Sequence, residues 1–449
     1  MTASVSTPER RSNHHTAVVL SHSQGRPDTP SPAAPKQHPI PFFRPSLGEE
    51  EIQSVVDTLR SGWLTTGPKV KQFEEAFARR LGARHAMAVN SATAALHLAL
   101  EAVGLSPGDE VLVPTMTFAA TAEVVVHLGA TPVLVDCRED TLNLDPRQLE
   151  QKITPRTKAV VPVHYAGQPC EMDCILEIAR AHDLKVVEDA AHALPASVGD
   201  RMIGTIGDAT CFSFYANKTL TTGEGGMVTT DDDRLAERMR RMTLHGISKD
   251  AWKRFSAEGS WYYEILAPGY KFNMSDIAAS LGIGQLARCD EFRRRRLEIA
   301  QRYDTGFADL PEVTVPCTMP GMQHAWHLYV IQLPTDRPGI DRNALIEKLN
   351  LAGIGTSVHY TPLHMHPYYR ETFGYRPDDL PVAAAVYRRI VSLPIYPSLS
   401  NADVDHIVDT VRRIIAGRPL QGGSVHLARQ PEGIRNELLS KTPSDIRTA

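Results

Sequence analysis

"EVLVPTMTFAATAEVVVHLGATPVLVD", residues 110–136, holds two short apolar runs, EVLVP and TPVLVD, joined by a segment of helical period. Each run is apolar at consecutive positions, the pattern of a strand covered on both faces and not of one with a wet side. The same alternation continues outward, with HAMAVN before it and KAVVPVHY, LKVVED, ATCFSFY and GGMVTT after it. Strands of this kind separated by helices predict an α/β chain built on a mostly parallel sheet flanked by helices.

After about Gly284 the pattern changes to a long charged helix, then strands such as HLYVIQL and further helices. We therefore expect a large domain over 41–289 and a smaller C-terminal α/β domain over 290–417. Residues 1–40, rich in Ser, Thr, Pro and His, read as a disordered tail, and 418–449 as a poorly ordered end. No internal repeat is visible.

Composition narrows the function. A formal net charge of −4 leaves no basic surplus for nucleic acid. The run Arg293 to Arg296 is the local exception and reads as the solvated face of a helix. No stretch approaches the roughly 20 apolar residues of a membrane span, so a cytoplasmic protein is expected. The six cysteines are unevenly spaced and read as reduced thiols. Cys170 and Cys174 lack a second ligand pair, and Pro362 and Pro367 break the spacing of His359, His364 and His366, so no metal is expected.

In such sheets ligands sit beyond the carboxyl ends of the strands, and three strand ends carry chemistry. In "VNSATAALHLALEAVG" Ser91 can cap a helix whose open N-terminus, small at Ala92, Thr93 and Ala94, suits an anion. "KVVEDAAHALPAS" closes a strand with Glu188, Asp189 and His192. "FSFYANKTLTTGEGGMVTTDD" places Ser213 on a strand and Lys218 at its end. Taken singly, each has an ordinary reading: a capped helix, an Asp that caps the next helix, a surface lysine. Together they are the parts needed to hold pyridoxal phosphate, with the phosphate on the helix, Asp189 on the pyridine nitrogen and Lys218 in an imine. Phe118, in "PTMTFAAT", is placed to stack on the ring.

With these motifs the chain resembles the DegT/DnrJ/EryC1/StrS sugar aminotransferases. "SGWLTTGPKVKQFE", "NSATAALHLAL", "GDEVLVPTMTFAATAE", "VPVHYAGQPCEMD", "VVEDAAHA", the Lys218 stretch and "PGYKFNMSDIAASLGIGQL" follow the family in order and spacing over about 40–416. "GWLTTGPK", "VHYAG", "EDAAHA", "GYKFN", "HAWHLYV" and "GIGTSVHY" are most similar to the branch that forms UDP-4-amino-4-deoxy-L-arabinose. The resemblance implies a fold type I pyridoxal-phosphate enzyme, homodimeric with shared active sites, that takes nitrogen from L-glutamate, releases 2-oxoglutarate and aminates a keto sugar nucleotide, favouring C4.

Carried over, Lys218 is the imine lysine and Asp189 the ring-nitrogen partner. His192, beside the cofactor where many relatives carry Gln, is implied as a third catalytic residue with Lys218 and Asp189. Thr93 and Ser213 match the phosphate ligands, with backbone help from Ala94. Lys271 and Asn273 both qualify for the contact that reaches the partner's phosphate. Trp63, Thr65, Thr66, Tyr165 and His359 match positions associated with the sugar nucleotide. A family branch that dehydrates sugars resembles this one with His in place of the lysine, and a non-catalytic regulator that binds the cofactor is the reading from a different class.

Overall fold

The two runs of residues 110–136 form adjacent parallel strands around a helix in the computed structural model, which describes residues 38–248, 263–334 and 341–419. The tail expected over 1–40 lies outside the described residues apart from 38–40, and the end expected over 418–449 lies outside apart from 418–419.

In chain order the strands are β1 (His85–Val89), β2 (Glu110–Pro114), β3 (Thr131–Val135), β4 (Thr157–Val160), β5 (Lys185–Asp189), β6 (Ser197–Val198), β7 (Arg201–Met202), β8 (Ala209–Ser213), β9 (Gly226–Thr230), β10 (Met322–Gln323), β11 (Tyr329–Gln332) and β12 (Ile390–Leu393). The helices are α1 (Glu49–Ser61), α2 (Pro68–Leu81), α3 (Ala92–Ala102), α4 (Ala120–His127), α5 (Met172–Ala181), α6 (Asp233–Met242), α7 (Asp276–Ala287), α8 (Cys289–Phe307), α9 (Arg342–Leu351), α10 (Pro367–Phe373), α11 (Pro381–Tyr387) and α12 (Asn401–Ile415).

Seven strands make the main sheet in the order β1-β9-β8-β5-β4-β2-β3. β9 alone opposes its neighbours β8 and β1. The link from β8 carries no helix to take the chain across the sheet, so the chain turns back. β2 explains the continuous apolar runs: Val111 and Val113 pack with α3 and α4 on one face, while Leu112 packs with Ile175 and Leu176 of α5 on the other. Each such side chain contributes about 1.5–3 kcal/mol by leaving water, which is why both faces are apolar.

A second core joins Ile299, Tyr303 and Phe307 of α8 to β11, β12 and α12. Ile40, at the edge of the expected tail, belongs to this core: it is buried, its N–H donates to the Gly353 carbonyl at 2.8 Å, and its carbonyl accepts from Gly355 N–H at 2.8 Å. Leu363, Tyr369 and Leu380 pack instead with the α3 and α4 layer of the main sheet.

The arginine run corrects the sequence reading. Arg296 is buried, not solvated, and its Nη1 donates to the carbonyls of Trp326 (3.1 Å), His327 (3.3 Å) and Ile395 (2.8 Å). Burial lowers its pKa to about 10. The cause is helical period: Phe292, Arg296, Ile299 and Tyr303 share the inward stripe of α8. Cys170 is buried with its thiol on the Val163 carbonyl at 3.1 Å, whereas Cys174 is exposed.

Candidate active site

The three strand ends meet at one edge of the sheet. Ser91 Oγ accepts from Ala94 N–H at 3.1 Å and starts α3. The amides of Ala92 and Thr93 find no acceptor among the described residues, as the first turn of any helix dictates. β9 brings this helix start to β8. Gly226 pairs with Val89 on one side and Ser213 on the other, and a Cβ on Gly226 would stand 2.6 Å from the Ser91 carbonyl. Glycine there lets the α3 terminus close on the sheet, so the helix start at Ala92 and Thr93 and the end of β8 at Ser213 form one cradle suited to an anion, whereas the Ala94 N–H expected to help is taken by Ser91 Oγ.

Asp189 ends β5 in the same row, and only 5 % of its surface is exposed. Its carboxylate accepts from Thr121 Oγ1 at 2.8 Å and from Ala191 N–H at 3.1 Å, and Thr117 Oγ1 lies 2.8 Å from Thr121 Oγ1. Burial raises its pKa against these two donors and the charge of Lys218. Two donors leave part of the carboxylate's acceptor capacity free, and a cationic N–H would complete it.

Lys218 is half-buried, and its Nζ makes no hydrogen bond or ion pair among the described residues. Loss of water lowers its pKa to about 8 despite the opposing pull of Asp189. The neutral amine that attacks a carbonyl then predominates above about pH 8, not above the ordinary 10.5. Mixing cofactor-free protein with pyridoxal phosphate between about pH 6 and 10 should show a covalent loading rate that levels off past that point. A rate still climbing steeply at the alkaline end would mean that the cleft leaves this lysine unperturbed.

His192 and Tyr360 line the cleft beside Asp189. His192 Nδ1 accepts from Ala166 N–H at 3.2 Å, and Nε2 lies 2.9 Å from Tyr360 Oη. Phe118, 62 % exposed, faces Tyr360 at 6.0 Å between ring centres. His359 stacks on Phe42, and its Nδ1 lies 2.8 Å from Ser392 Oγ. Burial, with Lys218 nearby, lowers its pKa to about 4. The Tyr165 hydroxyl is buried and donates to the His359 carbonyl. His364 lies buried with its Nδ1 on Thr115 Oγ1, and His366 Nε2 meets the Thr361 carbonyl.

The remaining expected residues form a second group. Lys271 Nζ donates to Asn273 Oδ1, and Asn273 Nδ2 donates to Thr66 Oγ1 at 2.7 Å. Thr66 Oγ1 in turn donates to the Met274 carbonyl at 2.6 Å. Trp63 Nε1 donates to the Thr66 carbonyl at 3.2 Å, and Asp276 N–H to the Thr65 carbonyl at 3.1 Å. Asp276 also accepts from the first amides of α2, at Gly67, Lys69 and Val70. No hydrogen bond or ring contact among the described residues ties Trp63, Thr65, Thr66, Lys271 or Asn273 to Tyr165, His192 or His359.

The family model for DegT/DnrJ/EryC1/StrS aminotransferases matches residues 45–412. The chain belongs to this family. The spore coat polysaccharide biosynthesis protein SpsC of Bacillus subtilis is 54 % identical over 383 residues, 85 % of this chain and 98 % of that protein. The pyridoxal-phosphate form of the "putative sugar aminotransferase Spr1654" from Streptococcus pneumoniae is 37 % identical, with a TM-score of 0.78 over 85 % of this chain and 99 % of that one. Its pyridoxamine-phosphate form gives 0.79 at 37 % identity, over 84 % and 99 %. The fold is that of the type I pyridoxal-phosphate transferases, and the chain is a pyridoxal-phosphate-dependent sugar aminotransferase. Among the described residues no helix is long and apolar enough to cross a membrane.

The residues present fit the cofactor. The cradle at α3 needs Gly226 and offers two unengaged amides, Asp189 is one donor short, and Lys218 is an amine of lowered pKa with no partner. Sequence reading missed Tyr360, although it adjoins His359. It also missed Thr121, whose spacing of four from Thr117 on the turn into α4 was the available signal.

Proposed function

We propose that this enzyme moves an amino group from L-glutamate to a keto sugar nucleotide in the cytoplasm, with a UDP-linked 4-keto pentose the favoured acceptor, and that it works as a homodimer. The observation that carries this reading is the unpaired amine of Lys218, lowered to about 8, in one cleft with a buried carboxyl and an open helix start. Thr93 and Ser213, with the open amides of Ala92 and Thr93, would hold the phosphate, Phe118 would stack on the ring, and Asp189 would hold a proton on the ring nitrogen. Pyridoxal phosphate, when bound, supplies the electron sink that stabilises charge at the substrate carbon. Lys218 Nζ would take the proton from that carbon and deliver it to the C4′ carbon of the cofactor, acting as base and then as acid near neutral pH. Trp63, Thr65, Thr66, Tyr165 and His359 serve the sugar nucleotide. Lys271 and Asn273 serve the partner's site, consistent with their separation from the Tyr165 and His359 group.

Asp189→Asn should still bind the cofactor at the α3 cradle and lose on the order of a hundredfold or more in turnover, because a neutral amide does not hold the ring proton. Near-normal turnover would reduce Asp189 to a turn residue. The reading as a whole is tested by offering UDP-, dTDP- and GDP-linked keto sugars with glutamate and measuring 2-oxoglutarate. Turnover of a UDP-linked 4-keto pentose above the others is expected. Amination of none of the nucleotide-linked sugars would refute it.

A further inference from the structure

The two hydrogen bonds of His192 have directions set by elementary chemistry. A backbone N–H only donates, so the Nδ1 that faces Ala166 N–H at 3.2 Å carries no proton. Burial, with Lys218 and His359 nearby, holds the imidazole pKa well below its usual value. The ring is neutral and its single proton sits on Nε2. Nε2 lies 2.9 Å from Tyr360 Oη, so the phenol accepts there and its own proton points elsewhere. Burial keeps that phenol protonated across the physiological range, with the charge of Asp189 adding to the effect. No acceptor for the proton exists among the described residues. The Tyr360 ring stacks at 21° to His192 and faces Phe118 across the cleft. His327 packs against the same imidazole at 4.4 Å and helps to fix its plane.

We infer that His192 is a positioning residue that turns Tyr360 into a hydrogen-bond donor aimed at the carbonyl oxygen of the keto substrate. Both imidazole nitrogens are engaged by the protein, so neither is free to move a proton at the reacting atoms. This departs from a catalytic role for His192 itself. The nature of the oxygen rests on the function proposed above, whereas the direction of the tyrosine proton does not.

Side chains at position 192 separate the cases. Glutamine offers Ala166 an acceptor and Tyr360 a donor, while glutamate offers only acceptors and pulls the phenol proton toward itself. His192→Glu and Tyr360→Phe are each expected to lower kcat/KM for a keto substrate about ten- to a hundredfold, the range of one lost hydrogen bond to a polarised oxygen. His192→Gln should recover most of what His192→Glu loses. The double variant His192→Glu with Tyr360→Phe should be no worse than either alone. A second readout is the ¹⁵N-histidine spectrum of the holoenzyme, assigned by its loss in His192→Gln, in which the His192 signals should be those of the neutral Nε2–H tautomer. A proton on Nδ1, additive losses in the double variant, or a His192→Glu enzyme as active as His192→Gln would each overturn the inference. Running the kinetics with 2-oxoglutarate as well as keto sugars keeps the two proposals apart. Failure of every sugar nucleotide overturns the acceptor assignment, while 2-oxoglutarate and the spectrum still decide the role of Tyr360.

Discussion

Lys218→Ala should leave a folded protein that binds pyridoxal phosphate without a covalent link and turns over about 10⁴-fold more slowly. Two independent contributions are lost together: the amine that anchors the cofactor, and the base whose lowered pKa matches neutral pH. Stability should not fall, because the replaced ammonium is partly stripped of water and has no hydrogen bond to lose. Borohydride reduction followed by peptide mass analysis reads the outcome directly. Wild-type protein should carry the reduced cofactor on the peptide containing Lys218, and the variant should carry none. A reduced adduct at the same yield on another lysine would remove Lys218 from the chemistry. A variant that fails to fold would show instead that the cleft needs the lysine stem for packing, and Lys218→Met, which keeps the stem, then serves as the test.

The parts of this site that were legible in the sequence are those held by local rules. The end of β5 puts Asp189 at the sheet edge because strands alternate with helices there, and Ser91 announces α3 by ordinary capping. What was not legible depends on contacts between distant segments. Tyr360 acquires its meaning only when the chain returns to place it on His192. Asp276 reads as the residue after a helix cap, yet it binds the first amides of α2 from across the fold. In Arg293 to Arg296 the uniform charge hid the period of three and four that turns Arg296 inward. Burial of a single arginine is affordable because three backbone carbonyls meet it.

The second large expectation concerns assembly, and it follows from how the site residues are divided. Asn273 bridges to Val89 at the edge of β1 and donates to Thr66, while Lys271 bridges to Leu244 and donates to Asn273, and neither bonds to Tyr165 or His359. Nearby, α1 leaves Ile52 and Leu59, seven positions apart on one face, 47 % and 51 % exposed. Apolar side chains repeating at that interval seek cover, and a two-fold copy of the chain would supply it while carrying Lys271 and Asn273 to the neighbouring cradle. Chains bearing Lys218→Ala should then be inactive, and so should chains altered to Ala at both Lys271 and Asn273. Mixing the two in equal amounts with subunit exchange makes half of the dimers mixed. Each mixed dimer holds one site built entirely from intact residues, so about a quarter of wild-type activity should return. A mixture that stays inactive after exchange is demonstrated by differently tagged chains would mean that each subunit completes its own site.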